Sequence, residues 1–137
     1  MQTVVAQHTM NLETEDDIIA VRRRVRDIAE MRKFDTFATA AITTATSELA
    51  RNVIVHAGKG FALIEEVSDG PIMGIRIVFE DTGPGIPDVD RVLAGGFSTA
   101  RSMGLGVSGS RRLVDEFRIE TVVGQGTKVT VIKWKRF

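Results

Sequence analysis

A glutamate and an asparagine four positions apart form the first candidate site in this sequence. Glu48 and Asn52 belong to the segment "SELARN", and residues at this spacing lie side by side on one face of a helix. Their oxygens suit a hard cation such as Mg2+; alternatively, Glu48 accepts a proton from an attacking hydroxyl while Asn52 holds the metal. A glutamate and an asparagine at this spacing are also common as a solvated pair, so the case for a functional site here depends on the other motifs.

The second candidate is the stretch "EDTGPGIPD", residues 80–88, which follows the apolar run "IRIVF". Asp81 stands where a strand should end, and Gly83 and Gly85 permit a positive φ or a close approach of the backbone to a ligand. A fixed carboxylate beside two glycines suits a flat heterocycle, because the carboxylate can accept a hydrogen bond from an exocyclic amino group. The alternative interpretation is a tight turn from strand to helix with an aspartate cap.

Two further glycine clusters come later in the chain. The segment "SMGLGVSGS" contains Gly104 and Gly106 and leads into a predicted helix, an arrangement that is typical of phosphate sites and equally of flexible loops. The segment "GQGT", which ends at Thr127, is most simply a hairpin turn. Neither a Walker A sequence nor a Rossmann glycine motif after a strand is present, so those two nucleotide sites are excluded.

Composition limits the classes of function. The chain has 137 residues, 43% of them apolar, with 18 basic and 18 acidic side chains and no cysteine. The balanced charge argues against nucleic acid as a partner, and the absence of cysteine excludes disulfides and thiolate metal sites. No apolar run approaches the roughly 18 residues that span a bilayer. We therefore expect a soluble cytoplasmic protein with no membrane partner and a single domain over residues 1–137.

The elements that must position the motifs can be read from periodicity and caps. The pattern predicts an opening strand, an amphipathic helix with a Thr14–Asp17 capping box, and a second helix from about Asp35 to Val55, with Gly58 just beyond its end. The arginines at positions 22–24 and 26 are expected to form a solvated face. After these come the following elements: strands "FALIEEV" and "IMGIRIVF" joined by a turn at residues 68–71, a short helix "DVDRVLAGG", a third helix "SRRLVDEF", and a closing hairpin. Strands and helices do not alternate strictly, which favours an α+β fold with helices packed on one face of a sheet.

The order of the four motifs resembles the GHKL ATPase superfamily, which includes gyrase, Hsp90, histidine kinases and MutL. Within it, "AITTATSELARNVIVHAGKG", "EDTGPGIPD", "GGFST" and "RRLVDEF" look most similar to the anti-sigma-factor-type serine/threonine kinases, in particular the small switch kinases of the stressosome pathway. The resemblance implies the GHKL (Bergerat) ATPase fold, a mixed, mostly antiparallel sheet with helices on one face. It covers nearly the whole chain.

The resemblance also implies roles for individual residues. Asp81 would bind the adenine amino group of ATP, Gly83 and Gly85 would shape the pocket, and Thr127 would support the adenine end. Asn52 would coordinate Mg2+, Glu48 would act as the general base, and Gly104 and Gly106 would hold the phosphates in a lid. The sequence "TARSMG" departs from the expected glycine-rich start of that lid, with Arg101 and Ser102.

The implied activity is transfer of the ATP γ-phosphate to a serine or threonine of a STAS-domain partner in a partner-switching pathway that controls a sigma factor or stress response. The released kinase would activate a PP2C-type phosphatase. Two alternatives stay open: a non-catalytic, nucleotide-gated module that binds a sigma factor or phosphatase, and, ranked lower, a detached histidine-kinase catalytic domain.

Overall fold

The computed structural model describes residues 1–86 and 109–135. Over these ranges the chain forms a five-stranded sheet and two long helices: β1 (Gln2–Leu12), α1 (Glu15–Met31), α2 (Thr36–Ala57), β2 (Gly60–Asp69), β3 (Ile72–Asp81), β4 (Glu116–Val122) and β5 (Gly126–Trp134). Residues 109–113 are also helical and lead towards β4. The predicted short helix "DVDRVLAGG" lies outside the described residues.

The two long helices begin and end at the signals that the sequence predicts. Thr14 and Asp17 form a reciprocal capping box at the start of α1, in which the Asp17 N–H donates to Thr14 Oγ1 at 3.2 Å and the Thr14 N–H donates to the Asp17 carboxylate at 3.1 Å. Asp35 caps α2 by accepting the Ala38 N–H at 2.7 Å. Gly58 ends α2 with a φ of 81°, a conformation that favours glycine.

The sheet has the strand order β1-β2-β3-β5-β4, and every pairing between described strands is antiparallel. The expectation of an α+β fold with a mostly antiparallel sheet is confirmed. Both predicted hairpins are present, joining β2 to β3 and β4 to β5. Because β3 pairs with β5, the end of β3 at Asp81 lies opposite Thr127, so two motifs that are 46 positions apart in sequence meet in space.

The core lies between the two long helices and one face of the sheet. Alternate residues of the central strands face the helices, and the fully buried side chains include Phe79, Ile77, Leu49 and Ile42. This packing buries one stripe of α2 against the sheet, as predicted from the spacing of its apolar residues. The adjacent stripe of α2 is therefore held rigidly beside the end of β3.

The predicted third helix is too long. Helical structure ends at residue 113, and Glu116 already belongs to β4. The Asp115 N–H donates to the Ile132 carbonyl at 2.9 Å, and the Asp115 carboxylate accepts the Trp134 N–H at 2.7 Å. These contacts with β5 end the helix, because pairing along the sheet replaces the local helical preference of "VDEF". Within the described residues, no helix combines the length and apolarity needed to cross a membrane.

Candidate functional site

The structure brings four of the predicted site residues around one cleft between α2 and the end of β3. Asn52 comes from α2, Asp81 from the end of β3, Gly85 from the following loop, and Thr127 from the start of β5. Apolar side chains, including Leu49 and Phe79, form the floor of this cleft. A lining that combines apolar side chains with a few polar groups matches the chemistry of a planar heterocycle with polar edges.

Asp81 presents a carboxylate that is only partly engaged with the protein. Its Oδ1 accepts the N–H of Gly83 at 2.9 Å, which fixes the side chain over the start of the loop. Its Oδ2 has no hydrogen-bond partner among the described residues. One oxygen is thus used for orientation, and the other is left as an acceptor for a donor entering the cleft.

The two glycines of the loop are required by close packing against other parts of the protein. A Cβ on Gly83 would lie 2.6 Å from the Cβ of Ala57, at the end of α2. Gly85 has a φ of 76°, and a Cβ there would lie 2.6 Å from the carbonyl oxygen of Val122. A positive φ was one of the two uses predicted for these glycines, and it occurs at Gly85. The loop therefore fits between α2 and the β4–β5 hairpin only with glycine at both positions.

Thr121 joins this loop to the hairpin, although it belongs to none of the sequence motifs. Its hydroxyl accepts the Ile86 N–H at 2.9 Å, donates to the Gly126 carbonyl at 3.1 Å, and lies 2.9 Å from the hydroxyl of Thr127. A hydroxyl has one donor and two acceptor positions, so Thr127 is the donor in the last contact. The sequence feature that could have identified Thr121 is the symmetry of "TVVGQGT". In this segment Thr121 and Thr127 flank the turn and pair in register.

Replacing Thr121 with valine should destabilise the domain by about 1–3 kcal/mol, because the Ile86 N–H and the Thr127 hydroxyl would both lose a partner in a partly buried site. Urea unfolding measures this change directly. Thr121→Ser keeps the hydroxyl and serves as the matched control, which should stay close to the wild type. Equal stability of the valine and serine variants would contradict the assigned role.

Two atoms at the cleft lack partners. Asn52 Nδ2 and His56 Nε2 are buried and make no hydrogen bond with any described residue. Burial lowers the pKa of the His56 imidazole below its ordinary 6.5, an effect that the nearby Asp81 carboxylate partly offsets. His56 is therefore neutral at neutral pH. None of the sequence motifs marks His56, although it lies four residues after Asn52 and hence on the same side of α2.

The lowered pKa of His56 makes stability depend on pH in one direction. The unfolded chain takes up this proton near pH 6.5, whereas the folded chain does so only at a lower pH, so acidification below 6.5 favours unfolding. His56→Gln should remove this contribution. The urea midpoints of the wild type and of His56→Gln should be measured between about pH 5 and pH 8. As the pH falls, the midpoint of the wild type should decrease more than that of the variant. Parallel curves would contradict the prediction.

Glu48 lies in a different place from the cleft. It lines a groove between α1 and α2, whose other wall carries Arg22, Arg23 and Arg26. These arginines are exposed, as expected for a solvated face. Glu48 precedes Asn52 by one helical turn, so α2 separates the groove from the cleft while placing these two residues next to each other. Gly104, Gly106, Arg101 and Ser102 lie outside the described residues.

Comparison with known proteins identifies the family. Residues 38–136 match the model of the histidine kinase-, DNA gyrase B- and HSP90-like ATPases. The chain belongs to this ATPase family. Membership in an ATPase family implies ATP as the nucleotide, and the predicted GHKL fold and family are confirmed. The match includes α2, the end of β3 and the closing hairpin, which are the elements that form the cleft.

Relatives of this ATPase family member include a protein kinase and an anti-sigma factor. The chain is 47% identical over 130 residues to the serine/threonine-protein kinase RsbT of Bacillus subtilis (strain 168), covering 95% of this chain and 98% of the relative. It is 30% identical over 101 residues to the anti-sigma F factor of Thermoanaerobacter sp. (strain X514), covering 69% of each. The predicted resemblance to anti-sigma-factor-type serine/threonine kinases is confirmed.

Solved structures of low identity show the same fold. The RsbU and RsbW domains of Rv1364c from Mycobacterium tuberculosis superpose with a TM-score of 0.67 at 20% identity, over 97% of this chain and 34% of that chain. The SiaB–SiaC complex from Pseudomonas aeruginosa gives a TM-score of 0.58 at 9% identity, over 96% of this chain and 90% of that chain. These two structural similarities support the assignment of the ATPase fold and nothing beyond it.

Proposed function

We propose that the protein is a serine/threonine protein kinase, a single domain over residues 1–137, that transfers the ATP γ-phosphate to a STAS-domain partner. It would act in a partner-switching pathway that controls a sigma factor or stress response. The observation that carries this proposal is the position of Glu48 one helical turn from Asn52, beside a cleft that also contains Asp81. The 47% identity to a serine/threonine-protein kinase over nearly its full length supports it.

The cleft would hold the adenine end of ATP. Asp81 Oδ2 is an acceptor for the exocyclic amino group, and its carboxylate is held in place by the Gly83 N–H. The Thr127 hydroxyl donates to Thr121, which leaves its oxygen as an acceptor at the rim. Leu49 and Phe79 supply apolar surface for the ring. Recognition of adenine would then depend on acceptors placed at its donor edge.

Asn52 is the described residue best placed for Mg2+. Neither its buried amide nitrogen nor its amide oxygen makes a hydrogen bond with any described residue, and an amide oxygen suits this cation. Within the described ranges, no group of three histidine or acidic side chains is arranged to hold a metal. In kinases Mg2+ usually binds through few protein ligands together with nucleotide phosphates and water.

Glu48 would remove the proton of the accepting hydroxyl. Transfer forms a bond between that oxygen and the γ-phosphorus, and it breaks the bond from phosphorus to the oxygen bridging the β- and γ-phosphates. The released proton passes to the Glu48 carboxylate. ATP with Mg2+ supplies the transferable group when bound. Gly104 and Gly106 would hold its phosphates, in keeping with the family resemblance.

The regulatory partners follow from the same resemblance. Phosphorylation would change which complexes the STAS-domain partner forms and would release the kinase. The released kinase would bind and activate a PP2C-type phosphatase upstream of the sigma factor.

Transfer of labelled γ-phosphate from ATP to a STAS-domain protein encoded near the gene tests the proposed function. With Mg2+ we expect acid-stable phosphoserine or phosphothreonine on the partner, and no label when EDTA removes the metal. Acid-labile phosphate would instead indicate histidine-kinase chemistry. Nucleotide binding with no transfer to such partners would overturn the kinase proposal.

A second candidate is a nucleotide-gated binding module, which the 30% identity to an anti-sigma F factor favours. Such a module would hold nucleotide and sequester a sigma factor or phosphatase without turnover. Glu48→Ala separates the two functions, because a pure binder should keep its regulation in cells whereas a kinase should lose it.

A further inference from the structure

The groove that contains Glu48 differs in charge from the rest of the molecule. The chain as a whole carries 18 basic and 18 acidic residues, yet the described side chains lining this groove include four arginines and one carboxylate. We call it the arginine groove and define its polar walls by Arg22, Arg23, Arg26, Ser47, Glu48 and Arg51. A local concentration of positive charge in a concave surface raises the local concentration of anionic partners.

Most of this charge is not neutralised within the described part of the protein. Arg51 pairs with Glu15 at 3.1 Å, whereas Arg22, Arg23 and Arg26 form no ion pair with any described residue. Asp27 follows these arginines in sequence and lines a different depression, beside β1, which Arg23 also borders. The arginines on this side of α1 are therefore available to an external anion.

The size and location of the groove indicate what it binds. Its volume is about 520 Å³, within the range of roughly 300–1,000 Å³ that is typical of ligand-binding clefts. Two hydroxyls on its α2 wall already donate to carbonyls of the same helix, Ser47 to Thr43 at 3.2 Å and Thr43 to Thr39 at 2.8 Å. Charge from the arginines thus dominates its recognition. Glu48 stands at the wall shared with Asn52, so a chain lying in the groove passes the proposed base.

We propose that the arginine groove binds an acidic segment of the protein substrate, next to the serine or threonine that accepts the phosphate. This inference rests on the proposed function and adds the chemistry by which the substrate is selected. Arg22, Arg23 and Arg26 pair with substrate carboxylates, and this contact holds the accepting hydroxyl beside Glu48. Guanidinium groups suit this role because each can bind a carboxylate through two parallel hydrogen bonds.

Charge reversal on one side of α1 tests the groove against a matched control on the other side. Arg22→Glu and Arg26→Glu change the groove, while Arg24→Glu makes the same change on the same helix next to His8, away from it. We expect each groove variant to raise the KM for the STAS-domain substrate by at least about tenfold, with a smaller change in kcat, because like charges then face each other. The control should change KM by less than about twofold.

Salt and nucleotide affinity provide two independent readouts. Raising ionic strength from about 0.01 M to 0.15 M shortens the Debye length from about 30 Å to 8 Å, so the KM of the wild type should rise and its advantage over Arg22→Glu should narrow. The Kd for ATP, measured without the protein substrate, should be the same in the wild type and the groove variants. A matching loss of ATP affinity would assign the arginines to nucleotide phosphates and overturn the inference.

The same experiment separates failure of this inference from failure of the proposed function. If the wild type phosphorylates the STAS-domain protein while Arg22→Glu, Arg26→Glu and Arg24→Glu share its KM, the groove inference is wrong and the kinase function stands. If the wild type neither binds nor phosphorylates that partner, both are wrong. Circular dichroism and urea unfolding of the three variants establish that they are folded to the same extent.

Discussion

Replacing Glu48 with glutamine should lower the rate of phosphate transfer to the protein substrate by about 10²- to 10⁴-fold, the usual contribution of a general base. Glutamine keeps the size and hydrogen-bonding reach of the side chain and removes its ability to accept a proton. ATP affinity should be unchanged, because Glu48 lines the arginine groove and not the cleft that contains Asp81. Single-turnover transfer from labelled ATP, together with equilibrium ATP titration, measures both quantities.

A second glutamate on an exposed helix surface provides the control for this variant. Glu30 lies on α1 and is exposed, so Glu30→Gln should transfer phosphate at the wild-type rate. Glu48→Asp shortens the side chain while keeping the carboxylate, and it should retain part of the activity. Full activity of Glu48→Gln would show that positioning and charge neutralisation suffice here and that Glu48 is not the base.

Replacing Asp81 with asparagine should weaken ATP binding by about 10- to 100-fold, the range expected for one charge-assisted hydrogen bond. The asparagine oxygen can still accept the Gly83 N–H that Asp81 Oδ1 now binds. Its amide nitrogen would then face the adenine amino group, and two donors cannot pair. The loop should keep its conformation while base recognition is lost, as isothermal titration and urea unfolding of the same variant would show.

Comparison of ATP with GTP makes the Asp81 prediction specific to the base. Adenine presents an amino donor where guanine presents a carbonyl acceptor, so the wild type should prefer ATP and Asp81→Asn should reduce that preference. Asp16→Asn, at an exposed position in the first turn of α1, should leave both affinities unchanged. An unaltered ATP-to-GTP ratio in Asp81→Asn would remove Asp81 from the adenine site.

Features of the fold that depend on local sequence signals could be predicted. The capping box of α1, the glycine that ends α2, and the turn between β2 and β3 each depend on a few neighbouring residues, and all are present. The third helix was extended too far because "VDEF" has a helical pattern locally, whereas its contacts with Ile132 and Trp134 come from a strand that follows it in the sequence. Long-range pairing of this kind leaves no signal within a short segment.

The candidate site also contains some residues that local motifs predict and others that only long-range contacts bring together. Glu48, Asn52, Asp81 and Thr127 were selected from motifs, and the last three do line one cleft. Thr121 was missed because its role depends on three partners that meet only when the hairpin closes on the loop after β3. The arginine groove was missed for a related reason, since periodicity shows which side of α1 is exposed but not that this side faces α2 across a concave surface.

The position of α2 between the cleft and the groove determines how a reaction can proceed. Leu49, Asn52 and His56 face the cleft, while Ser47 and Glu48 face the groove. The helix therefore separates two binding surfaces, each on its own side. A nucleotide and a protein chain can occupy their sides simultaneously and in either order of arrival. A kinase built on this arrangement would form a ternary complex and transfer phosphate directly from nucleotide to substrate where the two sites meet, beside Asn52 and Glu48, with no phosphorylated form of the kinase itself as an intermediate.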